Sequence, residues 1–277
     1  MTTRTIRVPA SSANLGPGFD TLGLALGLYL DLCFSDSAAT TSDLDDTSDE
    51  HHLAVRSFRA AGGRGPVEVT ANFPGGRGLG FSGAARLAGA VAARLQFGAD
   101  FATARADALE QVAADEGHGD NVAASALGGY TVWADGLARR IEHRLDAAVV
   151  LWIPRDETST KSSRGRLPEA VPLRAATSNI ANAALMVAAI AAGDHDALRV
   201  ACVDHLHQEG RFDRAPRSHA TYRALLETSA WCAWLSGSGP TVAALCAPDD
   251  AERIATGLPD EGRSVVTTVD GEGVREL

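Results

Sequence analysis

The stretch Pro74-Gly75-Gly76-Arg77-Gly78-Leu79-Gly80-Phe81-Ser82-Gly83-Ala84-Ala85 joins a glycine-rich turn to an alanine-rich segment. Five glycines within ten residues let the backbone reach positive φ and let a bulky ligand come close, because no Cβ stands in the way. Residues 84–95, from Ala84-Ala85-Arg86 to Arg94-Leu95, are predicted to be helical. The unpaired N–H groups of that helix's first turn, with the positive end of its dipole behind them, then point back into the loop. This is the arrangement of an anion site, and phosphate is its usual occupant. Two commoner phosphate loops are excluded. No Gly-Lys-Ser/Thr closes this one, and the dinucleotide pattern would need a helix opening on the last glycine and an acidic residue about 20 positions on. Taken alone, an ordinary glycine-rich surface turn before a helix is the competing reading.

The chain has 277 residues, enough for one large or two modest domains with a hydrophobic core. Apolar residues at 45% and charged residues at 22% are ordinary globular values. With 25 basic against 35 acidic residues the net charge is −10, which disfavours nucleic acid or an anionic membrane as partners, so an anionic ligand has to be held locally. Cys33, Cys202, Cys232 and Cys246 are far apart with no Cys-x-x-Cys pair, so neither a zinc site nor a disulfide framework is indicated. The first residues lack a signal sequence, and the small-residue run at 181–193 reads as too short and too alanine-rich to span a bilayer. A soluble, cytoplasmic protein is expected.

Other strings place chemistry-bearing residues at intervals along the chain. An opening strand near 5–8 is followed by Ser11-Ser12-Ala13-Asn14-Leu15-Gly16-Pro17-Gly18-Phe19-Asp20, which reads as a loop. Its Asn14 and Asp20 can orient a small polar ligand, or can simply serve a turn. Residues 101–116 have helical periodicity and end in Glu116-Gly117-His118-Gly119-Asp120-Asn121. Helix capping by Asp120 or Asn121 is physically sound but would not need the histidine. An unbroken apolar run at 147–154 predicts a buried strand, and Ser159-Thr160-Lys161-Ser162-Ser163-Arg164 follows it. Two helices are expected over 179–192 and 194–209, the second leading into His205-Leu206-His207-Gln208-Glu209-Gly210-Arg211. Residues 231–246 read as strand, glycine turn, strand around Ser236-Gly237-Ser238-Gly239-Pro240-Thr241.

In this order the strings resemble the motifs of the GHMP kinases (galactokinase, homoserine kinase, mevalonate kinase, phosphomevalonate kinase), and they are most similar to the homoserine kinase branch. The glycine stretch matches the second motif, Pro-x-x-x-Gly-Leu-Gly-Ser-Ser-Ala-Ala, with Phe81 where the first serine stands. The segment holding Asn14 and Asp20 matches the first motif, and residues 236–241 match the third. Glu116-Gly117-His118-Gly119-Asp120-Asn121 is similar to Glu-Gly-His-Pro-Asp-Asn. The Arg211 string is similar to Leu-His-Gln-Pro-x-Arg, with Glu209 and Gly210 standing where the family usually carries proline and a larger residue.

The resemblance implies an α+β, two-lobed fold: an N-terminal half of the ribosomal protein S5 domain 2-like kind over 1–155, a ferredoxin-like C-terminal half over 156–277, and an active site in the cleft between them. It implies transfer of the ATP γ-phosphoryl group to the hydroxyl of homoserine or a similar small acid, with Mg²⁺ on the phosphates. Pro74, Arg77, Gly78, Leu79, Gly80, Phe81, Ser82, Gly83 and Ala84 would hold the nucleotide. Ser82 with Glu116, or alternatively Glu110, would hold the metal. Asn14, Asp20, His118 and Asp120 would fix the acceptor's amine and hydroxyl, with Asp120, Asn14 and His118 nearest the reaction. Arg164 and Arg211 would grip its carboxylate. Expected partners are ATP and a hydroxylated amino acid, and a homodimer is compatible with the sequence.

Overall fold

A computed structural model describes residues 3–36, 49–155, 167–168 and 170–277. The first lobe is built on a long antiparallel hairpin, β1 (Thr3–Asn14) and β2 (Gly18–Ser35). Beside it lie β3 (Val67–Ala71), β4 (Tyr130–Ala134) and β5 (Leu137–Ile141), and the chain's last strand, β10 (Arg275–Glu276), returns to pair with β1. The sheet order is β10-β1-β2-β4-β5, with β3 pairing β2 further along its length. Against it pack α2 (Phe81–Gln96) and α4 (Asp120–Leu127), with α1 (Leu53–Ala60) lying on α2 and α3 (Phe101–Glu116) on α2 and α4. The alanines of α2 are buried almost all round, which small side chains allow when a helix lies between neighbours on several sides.

The second lobe is a four-stranded antiparallel sheet in the order β7 (Cys232–Leu235), β8 (Val242–Cys246), β6 (Ala148–Pro154), β9 (Gly262–Thr268). Its helices are α5 (Leu173–Ala192), α6 (His195–Ala201), α7 (Gln208–Phe212), α8 (Pro216–Leu226) and α9 (Ala251–Thr256). The unbroken apolar run of β6 has a simple cause. Val149, Leu151 and Ile153 join the large core shared with the first lobe, whereas Ala148, Val150 and Trp152 face a second core that includes α9 residues Ala251 and Ile254. A strand buried on both faces cannot alternate apolar with polar. Because β6 belongs to this sheet and β10 to the other, the two sheets interleave in sequence.

Several elements differ from the sequence expectation. Residues 9–14 continue β1, because Ser11 and Ser12 are fully buried and their hydroxyls are bonded to Asn121, Ser236 and Trp234. Their polarity therefore serves contacts across the fold. The helix expected over 194–209 is two short ones, α6 and α7, separated by a turn in which the Asp204 carboxylate accepts from the N–H groups of Leu206, His207 and Gln208. The run thought too short to span a bilayer begins earlier: α5 has 20 residues with mean hydropathy 1.5, long and apolar enough by composition alone. It nonetheless packs Asn179, Met186, Ala189 and Ile190 inward, with Asn179 Nδ2 donating to the Pro17 carbonyl at 2.7 Å.

Candidate active site

The glycine stretch of the first lobe meets the glycine turn of the second at the head of a cleft with a volume of about 270 Å³. Ser236 Oγ donates to the Gly78 carbonyl at 2.6 Å, Thr241 N to the Arg77 carbonyl at 3.3 Å, and Gly237 N to the Ala13 carbonyl at 3.1 Å. Ser11 N donates to the Leu79 carbonyl at 3.1 Å. The two glycine loops and the end of β1 thus brace one another through main-chain and serine bonds. This close approach requires glycine: a Cβ on Gly78 would lie 2.2 Å from the Ser236 carbonyl oxygen, and one on Gly80 2.0 Å from Ser11 Oγ.

Gly80, at φ +66°, is the N-cap of α2 and no side chain caps that helix. The helix therefore opens at Phe81, one turn earlier than the sequence indicated, with its first-turn amides directed at the cleft rather than at a capping oxygen. Gly76, Gly78, Leu79, Gly80, Phe81, Ser82 and Gly83 line the cleft. Pro74 and Ala84 do not; Ala84 lies in the core. Arg77 turns toward the second lobe, donating from Nε to the Pro154 carbonyl at 3.1 Å and from Nη2 to the Arg155 carbonyl at 2.7 Å. Phe81 places its ring edge-on to Phe73, with centroids 5.6 Å apart, and to His52 at 5.8 Å.

On one wall Ser82 Oγ donates to Glu116, whose side chain is 11% exposed. A hydroxyl and one carboxylate beside an uncapped helix N-terminus form a hard oxygen set, which fits Mg²⁺ with its preference for few protein ligands plus phosphate oxygens and water. Glu110, the other glutamate considered, is exposed on α3 and does not line the cleft.

Also lining the cleft are Asn14, the last residue of β1, and Asp20, near the start of β2, both at positive φ (+76° and +53°). Asn14 Nδ2 donates to the Gly237 carbonyl at 2.9 Å, and its Oδ1 accepts from Asp20 N at 3.1 Å. Asp120 is the first residue of α4, 2% exposed, and accepts from Asn121 N at 2.9 Å while its Oδ1 lies 2.8 Å from His118 Nδ1. Ligand atoms of Asp20, His118 and Asp120 all lie within 4.8 Å of one another. Two carboxylates converging in this way favour a cationic group such as an ammonium between them. Arg211, from α7, also reaches the cleft and donates from Nη1 to the Gly237 carbonyl at 2.9 Å. Glu209 and Gly210, where the sequence departs from the family pattern, line a different depression. Arg164 lies outside the described residues.

Sequence reasoning missed Arg86 and Asp115, which line the same cleft. Arg86 stands four residues after Ser82, one helical turn along the same face, and that spacing was the available signal. His52 caps α1, its Nδ1 accepting from Ala54 N at 3.1 Å.

A two-lobed α+β protein with an uncapped helix terminus opening on an interlobe cleft belongs structurally with the phosphotransferases of the GHMP class. The family model described as "GHMP kinases N terminal domain" matches residues 50–129, and "GHMP kinases C terminal" matches residues 186–264. The homoserine kinase of Streptomyces coelicolor is 43% identical over 268 residues, covering 90% of this chain and 86% of its own. That of Moorella thermoacetica is 39% identical over 258 residues, covering 87% and 86%. Among solved structures, the homoserine kinase from Cytophaga hutchinsonii superposes with a TM-score of 0.84 at 24% identity, covering 100% of this chain and 98% of its own. The mevalonate diphosphate decarboxylase of Enterococcus faecalis superposes at 0.65 with 14% identity, covering 99% and 98%; both show a shared fold. The chain belongs to the GHMP kinase family, in its homoserine kinase branch.

Proposed function

We propose that this protein transfers the γ-phosphoryl group of ATP to the side-chain hydroxyl of L-homoserine, giving O-phospho-L-homoserine on the route to threonine. The observation that carries this reading is the convergence, in one cleft, of the α2 N-terminus with Asn14, Asp20, His118, Asp120 and Arg211. Relatives at 43% and 39% identity carrying the homoserine kinase name support the choice of acceptor. A soluble protein acting on small molecules, in the cytoplasm and with no nucleic-acid or membrane partner, is part of the same reading.

Phosphoryl transfer of this kind passes through a loose transition state, so positioning and charge stabilisation supply most of the acceleration. The amides of residues 78–83 would hold the phosphates, with Ser82 and Glu116 as the metal's protein ligands. When bound, Mg²⁺ supplies neutralisation of the phosphate charge. Asp20 and Asp120 would take the acceptor's ammonium and hydroxyl, and Arg211 would take its carboxylate through its planar fork. Asp120, oriented by His118 and the Asn121 amide, would accept the hydroxyl's hydrogen bond and aim its oxygen at phosphorus. Arg164 is retained as a second carboxylate partner.

The test is a coupled ADP-release assay across homoserine, threonine, serine and related alcohols, with the product identified by phosphorus NMR. A clear preference for homoserine in kcat/KM is expected. Preference for another acceptor, or ATP binding without turnover, would contradict the proposal.

A further inference from the structure

His207 lies in the turn just before α7 and is buried at 3% exposure. Its ring makes two polar contacts in opposite directions. Nε2 is 2.8 Å from the Gly16 carbonyl oxygen, and Nδ1 is 2.9 Å from Arg211 Nη1. A guanidinium can only donate and a carbonyl oxygen can only accept. One form of the ring satisfies both: neutral, with its hydrogen on Nε2. An imidazolium would turn an N–H of Nδ1 against the N–H of Arg211.

The surroundings hold the ring in this orientation. The Asp204 carboxylate accepts from His207 N at 2.8 Å and from Gln208 N at 2.7 Å, and its Oδ1 lies 3.6 Å from Nε2, on the side where the ring's hydrogen sits. The Phe19 ring lies 5.1 Å from the imidazole and 5.3 Å from the Arg211 guanidinium carbon, so it flanks both. Gly16 is in the turn between β1 and β2, with Asn14 before it and Asp20 after it. The ring therefore bridges the turn that carries Asn14 and Asp20 and the helix that carries Arg211.

We propose that His207 is a positioning residue that, as the neutral Nε2–H tautomer, sets the spacing between Arg211 and the Asn14/Asp20 turn, so that the cleft measures one acceptor from its carboxylate to its amine. This rests on the reading of the acceptor as an amino acid whose carboxylate meets Arg211. Burial, reinforced by the neighbouring Arg211 charge and opposed by Asp204, pushes the imidazole down to about 4, in keeping with a neutral ring.

Two substitutions separate the two contacts. His207→Asn puts an amide oxygen near the position of Nδ1 and keeps an acceptor for Arg211. His207→Gln puts an amide N–H near Nε2, keeps the Gly16 contact and removes that acceptor. His207→Gln is expected to raise KM for homoserine about tenfold or more, the equivalent of one charge-assisted bond, with KM for ATP changed less than about twofold. His207→Asn should lose less. Homoserinol, the alcohol analogue without a carboxylate, should be indifferent to His207→Gln. Equal penalties on ATP and homoserine, or on homoserine and homoserinol, would overturn the proposal. ¹⁵N-histidine NMR of the wild-type protein at neutral pH, assigned with the Asn variant, should show His207 as the Nε2–H tautomer, and an Nδ1–H or doubly protonated ring would overturn it without any turnover being needed. Wild-type protein that does not phosphorylate homoserine would instead contradict the acceptor reading, and the NMR result would still decide the tautomer.

Discussion

Ser82 donates its hydroxyl hydrogen to the Glu116 carboxylate, tying the first turn of α2 to the last turn of α3 at the edge of the cleft. Arg86 stands over both, with Nε 3.4 Å from Ser82 Oγ and 3.5 Å from Glu116 Oε1. Each group is thus supported by the others. On the proposed reading these two oxygens would hold Mg²⁺, since both are of the hard type it prefers.

Ser82→Ala removes one of the two protein oxygens and should lower turnover by about tenfold or more, the rate equivalent of one charge-assisted contact. Steady-state kinetics at saturating ATP measure this. Unchanged turnover would place the metal elsewhere.

Glu116→Gln keeps the shape of the side chain and deletes its charge. It should lower kcat/KM by about 100-fold, the usual consequence of losing one preorganised electrostatic group, and should raise the Mg²⁺ concentration giving half-maximal rate. Glu110→Gln, on the exposed face of α3, should stay within about twofold of wild type. A magnesium titration of the two variants side by side separates the roles.

Gly80→Ala forces a Cβ to within 2.0 Å of Ser11 Oγ at a residue held at φ +66°. The left-handed backbone costs an alanine about 1–2 kcal/mol and the overlap a similar amount, so a loss of about 2–4 kcal/mol is expected in chemical denaturation. A variant as stable as wild type would show that the loop does not hold this approach in solution.

His207 gives the fold a pH dependence whose sign can be worked out. Its ring titrates near about 4 in the folded chain against 6.5 in the unfolded one, so between those values the unfolded chain binds the additional proton and stability falls as pH falls. The contribution is full above the unfolded value and is lost as pH drops toward about 4, amounting to roughly 3 kcal/mol at most. Denaturation of wild type and His207→Asn across this window should show a flatter profile for the variant. Parallel profiles would contradict it.

The fold class and most cleft residues could be read from ordered strings, because each string is a local solution to a local demand. Asp120 starts a helix, and the apolar run of β6 fills two cores. Where the reading failed, the deciding contact was remote. Ser11 and Ser12 looked like loop residues because nothing near them in sequence shows that Asn121, Ser236 and Trp234 satisfy their hydroxyls. The start of α2 was placed at Ala84 because Ser82 and Gly83 are weak helix formers, and the left-handed Gly80 that begins the helix at Phe81 is set by packing on Ser11. Arg77 sits in the glycine loop and looked like a phosphate ligand, yet its guanidinium meets carbonyls at the end of β6. His207 and Gly16 are 191 positions apart, a pairing that no local pattern contains.

The most direct measurement is a crystal structure of the protein with Mg²⁺, a non-hydrolysable ATP analogue and homoserine. The β- and γ-phosphate oxygens should lie on the amides of residues 78–83, with the homoserine carboxylate on Arg211 and its hydroxyl beside Asp120. A triphosphate bound away from the α2 N-terminus, or homoserine bound outside the cleft between the lobes, would contradict the assignment.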